Sequence, residues 1–262
     1  MAAEPTVDVT WWGHSTVTVV DAGVRVLTDP VLTAGVAHLR RRRGPIPSAA
    51  ARDADVVVVS HLHSDHLHVR SLAMLDPATP IVVPRGTRAA VPGMSRLRGR
   101  DVREVAVGEV VEIGGVEIRA VPARHDGRRH PLARHSVEPL GFVVTGSART
   151  YFAGDTDIFP GMAEEVGDCD LALLPVGGWG PGLGEGHMDA DRAAVAAGML
   201  GARHAVPVHF GTFWPVGLSA VAPEEFLPPG ARFVEAVTSA ARDCAAPVTR
   251  AHELVPGQSL SV

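Results

Sequence analysis

The sequence predicts a mixed α/β fold in which two sheets pack face to face with helices outside. Three observations carry this reading. Short segments rich in β-branched and aromatic residues fill the first half of the chain. The uninterrupted run Val56 to Val59 has the character of a strand covered on both faces. Helical segments enter among the strands mainly in the second half, the pattern of a layered domain. No fixed period repeats and no Ser- or Gly-rich linker divides the chain, so residues 1–262 are expected to form a single domain.

Residues 7–12 and 15–20 read as the first two strands, and residues 24–28 as the third, after the turn at Asp21-Ala22-Gly23. Asp29-Pro30 ends that strand, because a proline restricts the residue before it. Residues 54–60 contain the valine run. A polar, histidine-rich loop follows, then a helix over 69–75 and a short strand at 81–83. Residues 102–106, 110–113 and 116–122 form a meander that turns at Gly114-Gly115. A hairpin is expected from 141–145 and 150–153, and an apolar strand at 170–174. Asp189 stands where a helix N-cap is needed, ahead of a helix over 190–200. A strand at 204–208, a helix at 233–243 and an extended segment at 252–262 complete the chain.

Hydrophobic residues make up 46% of the chain and charged residues 20%, which excludes disorder and points to a packed core. A net charge of -5 gives no general basic surface, so nucleic acid is not expected as a partner. No apolar run approaches the roughly 18 residues needed to span a bilayer, and membrane contact is not expected. Residues 1–9 lack the basic start and apolar stretch of a signal peptide. The two cysteines, Cys169 and Cys244, are too few for a disulfide framework and are read as packing residues in a cytoplasmic setting. Oligomeric state is not legible.

The 13 histidines matter through their clustering. His61-Leu62-His63-Ser64-Asp65-His66 directly follows the valine strand, at a position where ligands can converge on a rigid support. Four ligand-type side chains within six residues cannot all reach one ion with good geometry. Two adjacent ions remove the difficulty, with His61 and His63 facing one and Asp65 and His66 the other. A His-rich donor set makes Zn2+ the default, with Mn2+ or Fe2+ as alternatives.

The His-x-His-x-Asp-His motif resembles the signature of the metallo-β-lactamase fold superfamily. That resemblance implies a four-layer αββα sandwich with a metal site at one edge of the two sheets. It further implies a histidine past a strand (His125), a bridging aspartate in Tyr151-Phe152-Ala153-Gly154-Asp155, and a late histidine, His209, after Val206-Pro207-Val208. Asp29 in Leu27-Thr28-Asp29-Pro30 is implied as a carboxylate that braces a ligand imidazole. Gly13-His14-Ser15, Leu173-Leu174-Pro175-Val176-Gly177-Gly178, Gly186-His187-Met188 and His209-Phe210-Gly211-Thr212-Phe213 most resemble one branch. It contains L-ascorbate-6-phosphate lactonase and N-acyl-phosphatidylethanolamine phospholipase D.

The resemblance implies a hydrolase whose dinuclear metal-bound hydroxide cleaves a phosphodiester, lactone or related ester of a small substrate, with an anionic one favoured. Asp65 would orient the nucleophile and shuttle its proton, and His187 would bind substrate or stabilise an oxyanion. His14 is read as a supporting residue. An iron-dependent oxidoreductase or a catalytically silent metal-binding protein are the alternatives; the complete set Asp65, His66 and His209 argues against both. Arg40, Arg41, Arg42 and Arg43 form a basic run open to two readings, a solvated loop or a contact to phosphate or lipid. Arg124, Arg128 and Arg129 flank His125 as further anion candidates. The glycine-rich loop 177–186 with Trp179 suits a pocket wall.

Overall fold

Alternation of apolar and polar residues builds the strands. In β1 (Asp8–Gly13) Val9 and Trp11 are buried while Asp8 faces solvent. The computed structural model describes residues 6–218, 220–243 and 249–262; Cys244 and the first five residues lie outside them. β1, β2 (Thr16–Asp21) and β3 (Val24–Thr28) form an antiparallel meander. β4 (Gly35–Val36) and β5 (Leu39–Arg41) leave it as a small hairpin. β6 (Val56–Val58), β7 (Ile81–Pro84) and β8 (Val102–Val105) then extend the sheet in parallel from β3.

The second sheet repeats the plan. β9 (Val110–Ile113), β10 (Val116–Pro122), β11 (Leu140–Thr145) and β12 (Arg149–Phe152) are antiparallel. β13 (Leu171–Pro175) and β14 (His204–Val208) continue in parallel. β15 (Phe213–Pro215) joins the small hairpin through β5. β16 (Arg250–Ala251) borders β14, and β17 (Gln258–Ser261) closes the first sheet against β1.

Helices cover the outer faces. On the first sheet lie α1 (Val69–Leu72) and α2 (Thr87–Ala90). On the second are α3 (Met162–Val166), α4 (Ala190–Met199) and α5 (Pro228–Asp243), with α4 against β13 and α5 against β14. The valine run shows how the layers are specified. Val56 and Val58 join Trp11, Ile118, Phe142 and Tyr151 in the core between the sheets. Val57 and Val59 point the other way, into a second cluster with Leu62, Leu72 and Met94 under the short helices. This is the four-layer αββα sandwich.

Several boundaries differ from the sequence reading for local reasons. Strand 54–60 narrows to Val56–Val58, and the N–H of Ser60 donates to Asp29 Oδ1 rather than to a neighbouring strand. The helix expected over 69–75 stops at Leu72, where Arg100 donates to the carbonyls of Leu72, Ala73, Leu75 and Asp76. α5 begins at Pro228 rather than 233, since a first helical turn tolerates proline. Of the segment 252–262 only Gln258–Ser261 is strand (β17), after the turn from Val255 to Gln258, and β16 (Arg250–Ala251) lies just before the segment. Asp189 caps α4 as expected, its Oδ1 accepting from Arg192 N at 2.8 Å. Among the described residues no helix is long and apolar enough to cross a membrane.

The basic run is not a free loop. Arg40 and Arg41 lie in β5, and the Arg41 guanidinium donates to the Trp12 and Val31 carbonyls and stacks on Phe213. Arg42 lies over Phe226. Packing fixes Arg41, while Arg40 and Arg42 remain exposed to solvent.

Candidate metal centre

The parallel strands end at one edge of the sandwich, and the histidine loop begins there. His61 follows β6 and is fully buried. The loop turns back on itself through the N–H groups of His66 and Leu67, both donating to the His63 carbonyl. Arg129, from the segment after β10, donates to the Leu62 and Leu67 carbonyls and clamps the loop from outside.

Asp155 lies beyond β12 and meets this loop because Gly154 permits it. Gly154 has φ +62, and a Cβ there would come within 2.5 Å of Ser60 Cβ. Asp155 Oδ2 is 3.1 Å from both His66 Nε2 and His209 Nε2. The same atom is 3.8 Å from His61 Nε2, 3.9 Å from His125 Nε2 and 3.4 Å from His187 Nε2. Asp65 Oδ2 lies 3.5 Å from His66 Nε2 and 3.9 Å from His209 Nε2. The donor atoms of His61, His63, His125 and Asp155 form one group within 4.8 Å, and those of His14, Asp65, His66 and His209 another.

The residues present fit a pair of divalent ions. Nitrogen pairs close to 3.0 Å for His61 and His63, and to 3.1 Å for both His63–His125 and His66–His209. Two nitrogens bound tetrahedrally to one zinc at roughly 2.0–2.1 Å are separated by about 3.3 Å, so these edges are close to coordination distances. Asp155 Oδ1 is buried without a hydrogen-bond partner among the described residues, as expected of an oxygen meant for something other than protein.

The opposite ring nitrogens explain the aim of the imidazoles. His125 Nδ1 donates to the Gly186 carbonyl at 2.9 Å and His209 Nδ1 to the Gly177 carbonyl at 2.8 Å. A carbonyl can only accept, so both rings carry a proton on Nδ1 and turn Nε2 inward, the atom left to meet a metal. His66 Nδ1 donates to Asp29 Oδ2 in the same way. Ser60 Oγ donates to Asp29 Oδ2 and accepts from His61 Nδ1 at 2.9 Å, so the same carboxylate also reaches His61 through a hydroxyl. His63 faces the others with Nδ1. Asp29, His14 and His209 all adopt left-handed backbone, with φ of 35, 56 and 63°. Non-glycine residues hold that conformation at a cost, which is typical of functional sites.

Charge divides the cluster. Burial pushes His61 and His63 down, and His125 to about 4. Burial, reinforced by His209, lowers His14 to about 3, so a neutral His14 donates Nε2–H to ionised Asp65 at 2.9 Å. For His209 burial is outweighed by the charge of Asp155 and by hydrogen bonds to Asp155 and Asp65, raising it to about 9. His66 rises for the same reason, with Asp155, Asp29 and Asp65 overcoming burial. Burial alone would raise Asp65 and Asp155; the neighbouring histidines hold both carboxyls well below the usual range. The carboxylates thus demand positive charge at this edge.

A small cavity of about 210 Å³ opens beside the cluster, lined by His63, His187, Trp179, Leu183 and the glycines of the 177–186 loop. Trp179 packs edge-on against His38 and onto the cluster of Val31, Val36, Leu39 and Phe213. The small β4–β5–β15 sheet therefore supports the mouth of the site. His187 Nδ1 donates to the Gly184 carbonyl, leaving Nε2 toward Asp155. The predicted ligands meet at this edge together with His14, Asp29 and His187. Of the flanking arginines, Arg128 pairs with Asp126, and Arg129 is the clamp just described. His130 and His135 are exposed. Sequence reasoning missed Ser60, the Gly177 and Gly186 carbonyls and Arg129's clamp. Only the small residue abutting the motif at Ser60 gave a signal.

Residues 24–210 match the family model of the beta-lactamase superfamily domain. The chain belongs to the metallo-β-lactamase superfamily. It is 31% identical over 265 residues to a UPF0173 metal-dependent hydrolase of Nitratidesulfovibrio vulgaris, covering 97% of this chain and 95% of that one. With N-acyl-phosphatidylethanolamine-hydrolyzing phospholipase D 1 of Caenorhabditis elegans it shares 32% identity over 230 residues, 79% of this chain and 64% of the relative. An uncharacterized protein of Mycobacterium tuberculosis is 33% identical over 225 residues, 78% of this chain. The match spans only 59% of that relative, so the chain covers less than two-thirds of the length of the nematode and mycobacterial relatives. Igni18, a metallo hydrolase from Ignicoccus hospitalis, superposes with a TM-score of 0.70 at 22% identity over 98% of both chains. The diiron β-hydroxylase CmlA of Streptomyces venezuelae superposes at 0.67 and 18% identity, over 100% of this chain and 55% of that one. At such identities the two structures speak to the fold alone.

Proposed function

We propose that this member of the superfamily is a metal-dependent hydrolase with a dinuclear centre. His61, His63 and His125 would hold one ion and Asp65, His66 and His209 the other, with Asp155 lying between the two groups. One observation carries the reading: a single buried oxygen, Asp155 Oδ2, lies 3.1–3.9 Å from the Nε2 atoms of five histidines drawn from four separate loops. When bound, two such ions supply a water ionised near neutral pH and a Lewis acid for the carbonyl or phosphoryl group under attack. Zinc is the leading identity for a His-rich donor set, with manganese or iron as alternatives.

The chain's own groups do the rest. Asp29 and the two backbone carbonyls fix which ring nitrogen faces inward. Asp65, held by His14, orients the nucleophile and accepts its proton. His187 reaches the rim with Nε2, where it binds substrate or stabilises the developing oxyanion. The Trp179 and Leu183 cavity supports a substrate with an apolar group beside the scissile bond. The nematode relative's name, an N-acyl-phosphatidylethanolamine-hydrolyzing phospholipase D, supports a phosphodiester within the expected class of phosphodiester, lactone or related ester, and the name metal-dependent hydrolase supports the chemistry without naming a bond.

The test is metal analysis of purified protein, followed by a screen of chromogenic phosphodiesters and lactones with and without chelator. We expect two metal equivalents per chain and chelator-sensitive turnover, abolished in folded His61→Ala and Asp155→Ala variants. Full activity in either variant at wild-type metal content would overturn the reading. So would a single iron with oxygen consumption.

A further inference from the structure

A second cavity, of about 570 Å³, lies on the outer side of the histidine loop. Four arginines line it, Arg70, Arg96, Arg129 and Arg134, with imidazoles including His68 and His135; no carboxylate does. The chain as a whole carries a net charge of -5, so this concentration of positive charge is local.

The state of these guanidiniums sets them apart from nearby ones. Arg85 pairs with Glu109, Arg103 with Asp101 and Arg128 with Asp126. Arg100 is spent on four backbone carbonyls. By contrast, Arg70, Arg96 and Arg134 make no hydrogen bond or ion pair among the described residues. Arg129 gives one Nη to the Leu62 and Leu67 carbonyls, and its partial burial reduces the screening of its charge. Like charges gathered in a concavity repel one another, and a bound oxyanion relieves the repulsion while filling the fork-shaped donor sets.

We infer that this cavity is a binding site for a soluble, multiply charged oxyanion of the phosphate class, distinct from the metal centre. Its half-buried members, Arg129 and His68, lie below exposed Arg70, Arg96 and Arg134. A small anion can enter that depth, whereas a flat lipid surface would meet only the rim. Pro92 and Gly93 complete one wall, and Leu132, 89% exposed, stands at the lining of the other.

The experiment is calorimetric titration of inorganic phosphate into the full-length, metal-loaded protein. It compares wild type with Arg96→Gln/Arg134→Gln and with Arg70→Gln. Arg129 is left intact because it clamps the histidine loop. Loss of two charge-assisted contacts should weaken phosphate binding by about tenfold or more in the double variant. Melting temperature, metal content and turnover measured without added phosphate should stay unchanged. Phosphate bound at the metals would persist in the double variant. Identical titrations for wild type and double variant, or no binding to wild type at millimolar phosphate, would overturn the inference. The readout is independent of hydrolysis.

Discussion

Asp29 Oδ2 accepts from His66 Nδ1 at 2.6 Å, and the same oxygen accepts from Ser60 Oγ at 2.6 Å. One buried carboxylate therefore orients two imidazoles, His66 directly and His61 through the serine hydroxyl. Asp29→Asn keeps the size but loses the charge and one acceptor. We expect metal affinity to fall by about 10–100-fold with the fold retained. Competition with a chromogenic chelator measures it; unchanged affinity would remove Asp29 from the site.

Protonation should make chelator-treated protein most stable near neutral pH. His66 and His209 have raised folded pKa values, so the stability they contribute is fully present below about 6.5. It is lost as pH rises through the value of about 9 for His209. His14 and His125 are depressed from 6.5 to about 3 and 4, so their contribution is present above 6.5 and lost as pH falls toward those values. The depressed Asp65 and Asp155 add to the loss at still lower pH. Denaturant unfolding of chelated protein between pH 4 and 9 tests this; stability rising steadily from 7 upward contradicts it. Metal binding must displace the protons on His66 and His209, so affinity should climb with pH over the same alkaline range.

Gly154→Ala puts a methyl group 2.5 Å from Ser60 Cβ on backbone with φ +62. We expect a stability loss of about 1–3 kcal/mol and a displaced Asp155. Unfolding free energy and metal content should fall together; a change in neither would mean that the loops separate freely.

His187→Gln separates support of the reaction from metal holding. Metal content should remain at wild type while kcat falls by about 10–100-fold. Loss of metal instead would make His187 a ligand.

Trp179→Ala removes the main apolar wall of the 210 Å³ cavity. For esters with an apolar group, KM should rise by about tenfold or more at little change in kcat, with small polar esters unaffected. Equal losses for both substrates would place Trp179 in the scaffold only.

Much of the site was legible because several of its residues stand just past an apolar run. His61 to His66 follow four valines, Asp155 follows Tyr151-Phe152-Ala153, and His209 follows Val206-Pro207-Val208. A polar ligand-type residue at the end of a buried strand stands out against its surroundings. The β4–β5–β15 sheet did not, because strands of two and three residues are too short to show alternation. The arginine run 40–43 stayed open for a related reason: a cation stacked on Phe213 or Phe226 has the same letters as one wholly in solvent. Backbone acceptors such as Gly177 and Gly186 carry no side-chain signal at all.

From its sequence by itself, this protein's layer type, strand order along the chain and histidine loop are determined, because periodicity and turn chemistry are short-range properties. Only the tertiary structure decided that Asp155 Oδ2 faces five imidazoles, and that Asp29 and two carbonyls turn Nε2 of their rings inward. It also decided that unpaired arginines from separate segments share one cavity. Those relations depend on distances of a few ångströms between residues far apart in the chain, and such distances exist only once the two sheets have packed.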